Sequence, residues 1–311
     1  MRILISESDP VSRRLLKAVL TSWDHEVIVA EDGTEAMATL RGANPPKLAI
    51  LDWMTPGMSA LEICRQLRKL QKEDYVYVIV LTQQDNSADI LECTIAGADD
   101  YVTKPFKPGE LEARIFAASR IVDLQEKFIE AQQTLTQQAT HDCLTGMWNR
   151  SGILNILDKE LHRARRDHTS VAVMLGDLDG FKSVNDSYGH KVGDYVLKEV
   201  ARRMTAAMRP YDCFGRYGGE EFLVVVPHCD ITFATEVAER IRRRICAEPI
   251  VCDDLEIQTT MSIGVTSVCG VDPDQAETII QAADAALYVA KENGRNRVEQ
   301  ADSASLVENA A

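Results

Sequence analysis

Two glutamates follow a pair of glycines in the second half of the chain, within the run Arg-Tyr-Gly-Gly-Glu-Glu-Phe at residues 216–222. The segments on either side have the character of β-strands, and Gly218 and Gly219 between them predict a hairpin, because both turn residues must tolerate positive φ. Glu220 and Glu221 would then stand at the mouth of a strand. Carboxylates there suit Mg²⁺, which takes one or two of them together with phosphate oxygens. Taken alone, the run also fits an ordinary hairpin with solvated glutamates.

A second acidic motif follows the apolar run 171–175, which is typical of a central strand. Asp177 comes at the end of this strand, where it could bind a metal. Gly180 would let the backbone approach a ligand, and the helix that starts at Phe181 would point free N–H groups at phosphates. Lys182 adds a positive charge for the same phosphates. The motif therefore predicts a metal and phosphate site.

Two pairs of polar residues extend this predicted site towards a nucleotide. Asn185 and Asp194 could together read the edge of a guanine, with the carboxylate accepting from its N1–H and 2-amino groups. Lys291 and Arg295 close a later helix and could reach a triphosphate. A guanine nucleotide is thus the candidate ligand.

In the first 120 residues, short apolar runs alternate with amphipathic helical stretches five times. The predicted strands are 3–5, 27–29, 48–51, 76–81 and 100–102, and the predicted helices are 11–20, 34–40, 61–70 and 88–96. This alternation predicts an α/β fold with a doubly wound, five-stranded parallel sheet, whose site lies at the carboxyl ends of the strands. The polar residues at those ends are Glu7, Ser8, Asp9, Asp52, Thr82 and Lys104.

A helical connector is predicted over residues 109–141. Its apolar positions recur in alternating steps of four and three, at Ala117, Ile121, Leu124, Phe128, Ala131 and Leu135. This spacing is a heptad seam, and the glutamine-rich stretch 132–138 argues against deep burial. A parallel two-stranded stalk is favoured over a lone amphipathic helix that packs on its own domain.

Composition excludes several classes of function. The 311 residues suffice for two domains, and a formal charge of −14 argues against binding to nucleic acid or to an anionic membrane. The eight cysteines show no metal-binding spacing and are interpreted as reduced thiols of a cytoplasmic protein. No signal peptide is recognised at the first residues, and no apolar run approaches the ~18 residues of a membrane helix.

The polar strand ends of the first domain resemble the receiver domain of two-component response regulators. The matching residues are Asp52 as phosphoacceptor, Thr82 as switch hydroxyl, Tyr101 as switch aromatic and Lys104 as phosphate-pairing lysine. The resemblance implies Mg²⁺ in this pocket and a sensor histidine kinase as partner. Receivers usually carry two adjacent acids after the first strand, but this chain has Glu7 and Ser8, so weaker metal binding is expected. A receiver-like domain that only dimerises is the alternative.

The motifs of the second domain together resemble the diguanylate cyclase family, called GGDEF after its hairpin, which here reads Gly-Gly-Glu-Glu-Phe. The resemblance implies a mixed sheet flanked by helices, similar to nucleotidyl cyclases and polymerase palms. It also implies condensation of two GTP molecules into cyclic di-GMP by a homodimer, with one GTP in each subunit. Mg²⁺ or Mn²⁺ would be held by Asp177, the Leu178 carbonyl and Glu220, with Glu221 as a further ligand or as general base for the 3′-hydroxyl.

An Arg-x-x-Asp pair, Arg209 and Asp212, precedes the hairpin, and Arg240 lies on the next predicted helix. Arginine forks match both phosphate and the Hoogsteen edge of guanine. The three residues resemble the product-inhibition site of the family, where cyclic di-GMP would bind. The alternative is an ordinary surface ion pair, which stabilises little.

Three rival functions are less favoured. A catalytically inactive GGDEF module that only senses cyclic di-GMP would be expected to lack a carboxylate, whereas Asp177, Glu220 and Glu221 are all present. A cyclase making mixed adenine–guanine dinucleotides is disfavoured by Asp194 as guanine reader. DNA binding is not expected, because no basic output domain follows the receiver. The predicted organisation is a receiver at 1–120, the connector at 109–141, a cyclase domain at 142–300 and a disordered tail at 301–311.

Overall fold

A computed structural model describes residues 1–70, 75–83, 87–270 and 275–301. The chain divides into two compact units, Met1–Gln133 and Thr134–Ala311. Most of the predicted tail, residues 302–311, lies outside the described residues. Within the described ranges, every helix is too short or too polar to cross a lipid bilayer.

The first unit is a parallel α/β sheet, and the predicted doubly wound fold is confirmed. The strands run in the order β2-β1-β3-β4-β5, and every neighbouring pair is parallel. Its elements are β1 (Arg2–Ser6), α1 (Pro10–Ser22), β2 (Glu26–Ala30), α2 (Gly33–Leu40), β3 (Leu48–Asp52), α3 (Ala60–Lys69), β4 (Tyr77–Thr82), α4 (Ser87–Ala96), β5 (Asp100–Thr103) and α5 (Pro108–Thr140).

Two of the three inner strands show that the sheet is covered on both faces. All residues of β3 and β4 are buried, as expected for parallel strands between two helical layers. One layer packs Leu16 and Ile115 against the sheet, and the other packs Leu40 and Ile63. The carboxyl ends of the strands are therefore left at one edge, where polar side chains can meet.

The long helix α5 changes character along its length. Leu111, Ile115, Ala118 and Val122 are buried at helical spacing, so this part completes the core of the first unit. After Val122 no residue of α5 is fully buried. The helix extends over most of the range predicted for the connector.

The second unit contains a mixed sheet in the order β12-β11-β6-β8-β7, which confirms the expected α/β cyclase fold. The elements are α6 (Arg150–Asp167), β6 (Ser170–Leu178), α7 (Phe181–Tyr188), α8 (His190–Ala207), β7 (Cys213–Gly218), β8 (Glu221–Pro227), α9 (Ile231–Cys246), β9 (Ile250–Cys252), β10 (Leu255–Ile257), β11 (Met261–Cys269), α10 (Ala276–Glu292) and β12 (Val298–Gln300). Strands β9 and β10 form a separate hairpin.

Strand β6 lies at the centre, between antiparallel β8 and β11. Helix α10 packs closely on this sheet, and Gly264 on β11 makes that possible. A Cβ atom at Gly264 would lie 2.0 Å from the carbonyl oxygen of Ala283 on α10. Close packing of α10 brings its last turn, with Lys291, to the end of β6.

Candidate active site

The acids predicted from two separate motifs meet at the end of β6. The antiparallel register pairs Asp177 with Glu221, so that the first glutamate of β8 lies beside the aspartate. The N–H group of Leu178 points to the carbonyl oxygen of Glu220 at 3.4 Å. The hairpin therefore carries its two glutamates to the strand end that bears Asp177.

The hairpin turn is held by an arginine whose role was not apparent from the sequence. Arg216 Nε donates to the carbonyl oxygen of Gly219 at 2.8 Å, and its Nη1 lies 3.3 Å from the Asp142 carboxylate. The backbone N–H and the hydroxyl of Thr145 also donate to Asp142. Burial opposes ionisation of Asp142, but Thr145 and Arg216 together hold its pKa below the usual value. The turn just before Glu220 is thus fastened to the segment that precedes α6.

A lysine from α10 completes the charged cluster. Lys291 Nζ lies 3.0 Å from Asp177 Oδ2. Burial nevertheless raises the pKa of Asp177, with Lys291 opposing and the Glu220 carboxylate adding to the rise. Burial and the charge of Asp177 likewise raise the pKa of Glu221. The strand end therefore has an excess of negative charge, which a bound cation would relieve.

The donor set at this strand end fits a hard divalent cation. Carboxylate and carbonyl oxygens are the ligands that Mg²⁺ takes in proteins, usually with several positions left to water or phosphate. In the described part of the chain, no three acidic, histidine or cysteine side chains converge closely enough to hold a metal by themselves. Phosphate oxygens would have to complete the coordination, as for a nucleotide-bound metal.

The residues predicted to bind phosphate and guanine surround the next helix. Gly180 caps α7 with φ of 70° and offers no side-chain hydrogen bond to its first turn, which leaves that turn open to an anion. Lys182 is exposed and has no partner among the described residues. Gly193 faces Asn185, since a Cβ there would lie 1.9 Å from Asn185 Oδ1. Asp194 follows on the exposed side of α8.

The first unit has a second acidic pocket, at the carboxyl ends of β1, β3 and β5. Lys104 Nζ lies 2.7 Å from Glu7 and 2.9 Å from Asp52, and joins the two buried carboxylates. Ser8 Oγ donates to the other oxygen of Asp52 at 2.6 Å. Burial raises the pKa of Glu7, and Lys104 only partly offsets it. For Asp52 the balance is different. Burial again opposes ionisation, but the hydrogen bonds from Ser8 and Lys104 together outweigh it, so the pKa of Asp52 is lowered.

Three neighbours of this pocket have clear positions. Thr82 is buried at the end of β4, and the N–H group of Lys104 donates to its carbonyl oxygen at 2.7 Å. Tyr101 lies on β5, with the guanidinium of Arg114 5.6 Å from its ring centre. Asp9 does not replace the missing acid, because its carboxylate caps α1 by accepting from Ser12 N at 2.8 Å.

Comparison with family models identifies both halves of the chain. The model described as diguanylate cyclase, GGDEF domain, matches residues 139–297, which is more than half of the sequence. The chain belongs to the GGDEF family. The model of the response regulator receiver domain matches residues 3–116. The order of the two matches bears out both resemblances seen in the sequence.

Two curated relatives match different shares of the chain. The response regulator PleD of Caulobacter vibrioides is 31% identical over 302 residues, which cover 96% of this chain and 65% of PleD. Diguanylate cyclase A of Treponema denticola is 38% identical over 167 residues, covering 53% of this chain and 45% of that protein. The chain thus spans less than two thirds of the length of these curated relatives.

One solved structure supports the fold of the second unit. The coiled coil and GGDEF domain of DgcB from Caulobacter crescentus, solved in complex with c-di-GMP, matches with a TM-score of 0.55 and 30% identity. The match covers 61% of this chain and 99% of that structure.

The residues predicted to form a product site in this GGDEF domain lie after α8 and on α9. The Arg209 guanidinium lies 4.7 Å from the centre of the Phe233 ring, and Asp212 accepts from the backbone N–H of Arg209 at 2.9 Å. Arg240 Nε donates to the carbonyl oxygen of Ala207 at 2.6 Å. Among the described residues, the side chains of Arg209 and Asp212 do not pair with each other. The guanidinium of Arg209 and the carboxylate of Asp212 could therefore both face a ligand.

Proposed function

We propose that the chain is a diguanylate cyclase that condenses two GTP molecules into cyclic di-GMP and two pyrophosphates. The observation that supports this best is the β6–β8 register, which places Asp177 beside Glu221 with Lys291 on the same cluster. Partly buried acids with raised pKa values, next to an open helix N-terminus, suit a metal-bound triphosphate.

Each side chain has a defined task in this proposal. Asp177, the Leu178 carbonyl and Glu220 would hold Mg²⁺ or Mn²⁺, which polarises the phosphates and neutralises their charge when bound. Glu221 is either a further ligand or the base that accepts the proton of the attacking 3′-hydroxyl. Burial raises the pKa of Glu221, which makes its carboxylate a stronger base.

The remaining residues would orient the nucleotide. The backbone at Gly180 and Phe181 would receive phosphate at the start of α7, and Lys182 would bind the same group. Lys291 and Arg295 would contact the rest of the triphosphate. Asn185 and Asp194 would bind the guanine edge and so select GTP.

The reaction requires a homodimer, because each cyclase domain holds one GTP and the two must face each other. Helix α5 offers a dimer contact along its predicted heptad. Ile121, Leu124, Phe128 and Leu135 are between 42% and 65% exposed, which is unusual for large apolar side chains at this spacing. A two-stranded parallel stalk would bury them.

The receiver would control this dimer through phosphorylation of Asp52 by a sensor histidine kinase. Asp52, Lys104 and Thr82 lie together at one sheet edge, as an acylphosphate site requires. Mg²⁺ would be held by Glu7 and Asp52, and more weakly than in a receiver with two adjacent acids, because Ser8 contributes no charge. GTP as substrate and a kinase as partner place the proposed activity in the cytoplasm.

Cyclic di-GMP would also bind at Arg209, Asp212 and Arg240 and inhibit its own synthesis. The stacking of Arg209 on Phe233 directs a guanidinium along the surface of α9, where a guanine edge could accept from it.

The direct test is to incubate the purified protein with GTP and Mg²⁺ and to identify the product by mass spectrometry. We expect cyclic di-GMP from the wild type and a loss of several orders of magnitude in Asp177→Asn. A linear dinucleotide, a mixed product made in the presence of ATP, or no product at all would contradict the proposal.

A further inference from the structure

A second aspartate of the β6 end has partners that set it apart from Asp177. Asp179 follows Asp177 by two residues and lies just past the last residue of β6. Its carboxylate is engaged by three donors. Oδ1 accepts from Ser262 Oγ at 2.7 Å. Oδ2 accepts from Thr260 Oγ1 at 2.7 Å and from the backbone N–H of Asn296 at 3.1 Å.

The last of these donors belongs to an unusual turn. Gly294, Arg295 and Asn296 follow α10 with φ of 106°, 61° and 47°. Two of these are not glycine, and side chains rarely adopt such a left-handed backbone unless the surroundings hold it. The N–H of Asn296 is held by Asp179. The N–H of Arg295 donates to the Ala290 carbonyl oxygen at 3.0 Å, so the contact with Asp179 fixes the end of the turn that lies farther from α10.

A second anchor holds the same turn from α9. Arg242 Nη1 donates to Asn296 Oδ1 at 2.8 Å. Arg242 is itself fixed by Glu239, with its Nη2 3.0 Å from the carboxylate. The turn is therefore clamped between the end of β6, through Asp179, and the outer helix, through Arg242.

We propose that Asp179 is a positioning residue, which holds the turn after α10 so that Arg295 stands at a fixed distance from Asp177 and from the Lys291 that the packing of α10 brings there. This inference rests on the proposed function, because the groups it positions are those assigned to the triphosphate and its metal. On this inference Asp179 would not serve as a metal ligand, because donors from β11 and its approach and from the turn already engage both of its oxygens. Asp179 thereby sets the distance between Asp177, which would bind the metal, and Arg295, which would bind the triphosphate.

Two substitutions separate positioning from metal binding. In Asp179→Asn, the amide oxygen can accept from Thr260 and Asn296, and the amide nitrogen can donate to Ser262, whose hydroxyl can accept. The turn is then retained although the charge is lost. In Asp179→Ala all three contacts are lost. For a metal ligand, by contrast, the neutral amide would fail about as badly as alanine.

The test measures the affinity of the full chain for α,β-methylene GTP with Mg²⁺ by calorimetry, alongside KM and kcat for GTP. We expect binding about tenfold weaker in Asp179→Ala and nearly unchanged in Asp179→Asn. The Asp179→Ala effect should be larger on KM than on kcat. Arg203→Met is the matched control: it removes buried hydrogen bonds at the α8–α9 contact, so it lowers stability and should leave nucleotide affinity unchanged.

Wild-type affinity in Asp179→Ala, or an equal loss in Asp179→Asn and Asp179→Ala, would overturn the inference. If Asp179→Ala does not fold, Arg242→Met releases the other anchor of the turn and should weaken binding in the same direction, and unchanged affinity would then overturn it. A wild type that binds the analogue but makes no cyclic di-GMP overturns the proposed function instead, while the binding data still decide the role of Asp179.

Discussion

At the scale of single residues, Glu220 is the sharpest test of the metal assignment. Replacement by glutamine keeps the shape of the hairpin but removes a charge that would hold Mg²⁺. We expect Glu220→Gln to lower kcat by at least about a hundredfold, since electrostatic stabilisation is usually the largest catalytic contribution. Glu256→Gln, on the exposed face of β10, is the matched control and should be neutral. Turnover near the wild-type rate in Glu220→Gln would show that the ligand lies elsewhere.

Arg209 tests product inhibition in the same way. Loss of one bidentate arginine contact should weaken cyclic di-GMP binding by roughly 1–3 kcal/mol. Calorimetry of Arg209→Ala against cyclic di-GMP measures this, and Arg163→Ala, an exposed arginine of α6, serves as control. Unchanged affinity together with unchanged inhibition would favour a purely structural role for the Arg-x-x-Asp pair.

Residue types and spacing predicted which acids form the candidate site but not how they are held. Asp177, Glu220 and Glu221 could be found because they directly follow a strand or a Gly-Gly turn. The support from Arg216 and Asp142 could not, because 74 residues separate them and neither position has a local pattern that names its partner. The role of Asp179 could not be predicted for the same reason: its donors come from β11 and its approach and from the turn after α10, and all are distant in sequence.

At the scale of elements, hydrophobic periodicity predicted every strand of the first unit. Continuous apolar runs such as 48–51 leave few alternatives once helices alternate with them. The register between strands was beyond prediction, because a shift of one residue preserves composition while it exchanges the two faces. The glutamines at 132–138 indicated that the last part of α5 is exposed, but the end of burial at Val122 could not be predicted, because apolar residues continue at helical spacing beyond it.

The contact between α8 and α9 contains a carboxylate whose pKa is well below its usual value. Arg203 is buried and donates to the carbonyl oxygens of Ile245, Glu248 and Pro249, and Glu199 pairs with it. The hydrogen bond from Arg202, with that from Arg203, lowers the pKa of Glu199 to about 2 against the cost of burial.

Glu199 therefore stabilises the fold above its unfolded pKa of 4.5, and this contribution is lost as the pH falls towards 2. We expect Glu199→Gln to lower the free energy of unfolding near pH 7, and the difference from wild type to shrink near about pH 3. Urea denaturation at both pH values measures it. A difference that is independent of pH would mean that packing, and not charge, is responsible.

At the scale of the whole molecule, the open question is how the receiver acts on the cyclase, and it depends on Ser8. Phosphorylation should bias receiver dimerisation, which the exposed α5 seam would pass on as a change in stalk packing. Because Ser8 supplies no metal-binding charge, we expect beryllofluoride to raise cyclase activity only at elevated Mg²⁺. Ser8→Asp should lower that Mg²⁺ requirement.

Asp52→Asn is the control for this prediction and should leave only the basal rate. Cyclase assays over a Mg²⁺ titration, with and without beryllofluoride, compare the three proteins. An identical response of wild type and Asp52→Asn would make the receiver a passive dimerisation module.

The ion pair between Lys291 and Asp177 has a consequence for the folding of the protein. The ammonium group of Lys291 neutralises part of the negative charge at this strand end before any ligand binds. Metal binding would therefore replace one cation by another. The domain can then fold without the metal, unlike domains whose ligand residues come together only when an ion binds. We expect EDTA to abolish product formation and leave the Tm in calorimetry unchanged, and a lower Tm with EDTA would contradict this. The protein would thus be folded and metal-free before nucleotide binds. The concentration of GTP, more than that of magnesium, would determine when the active site is occupied.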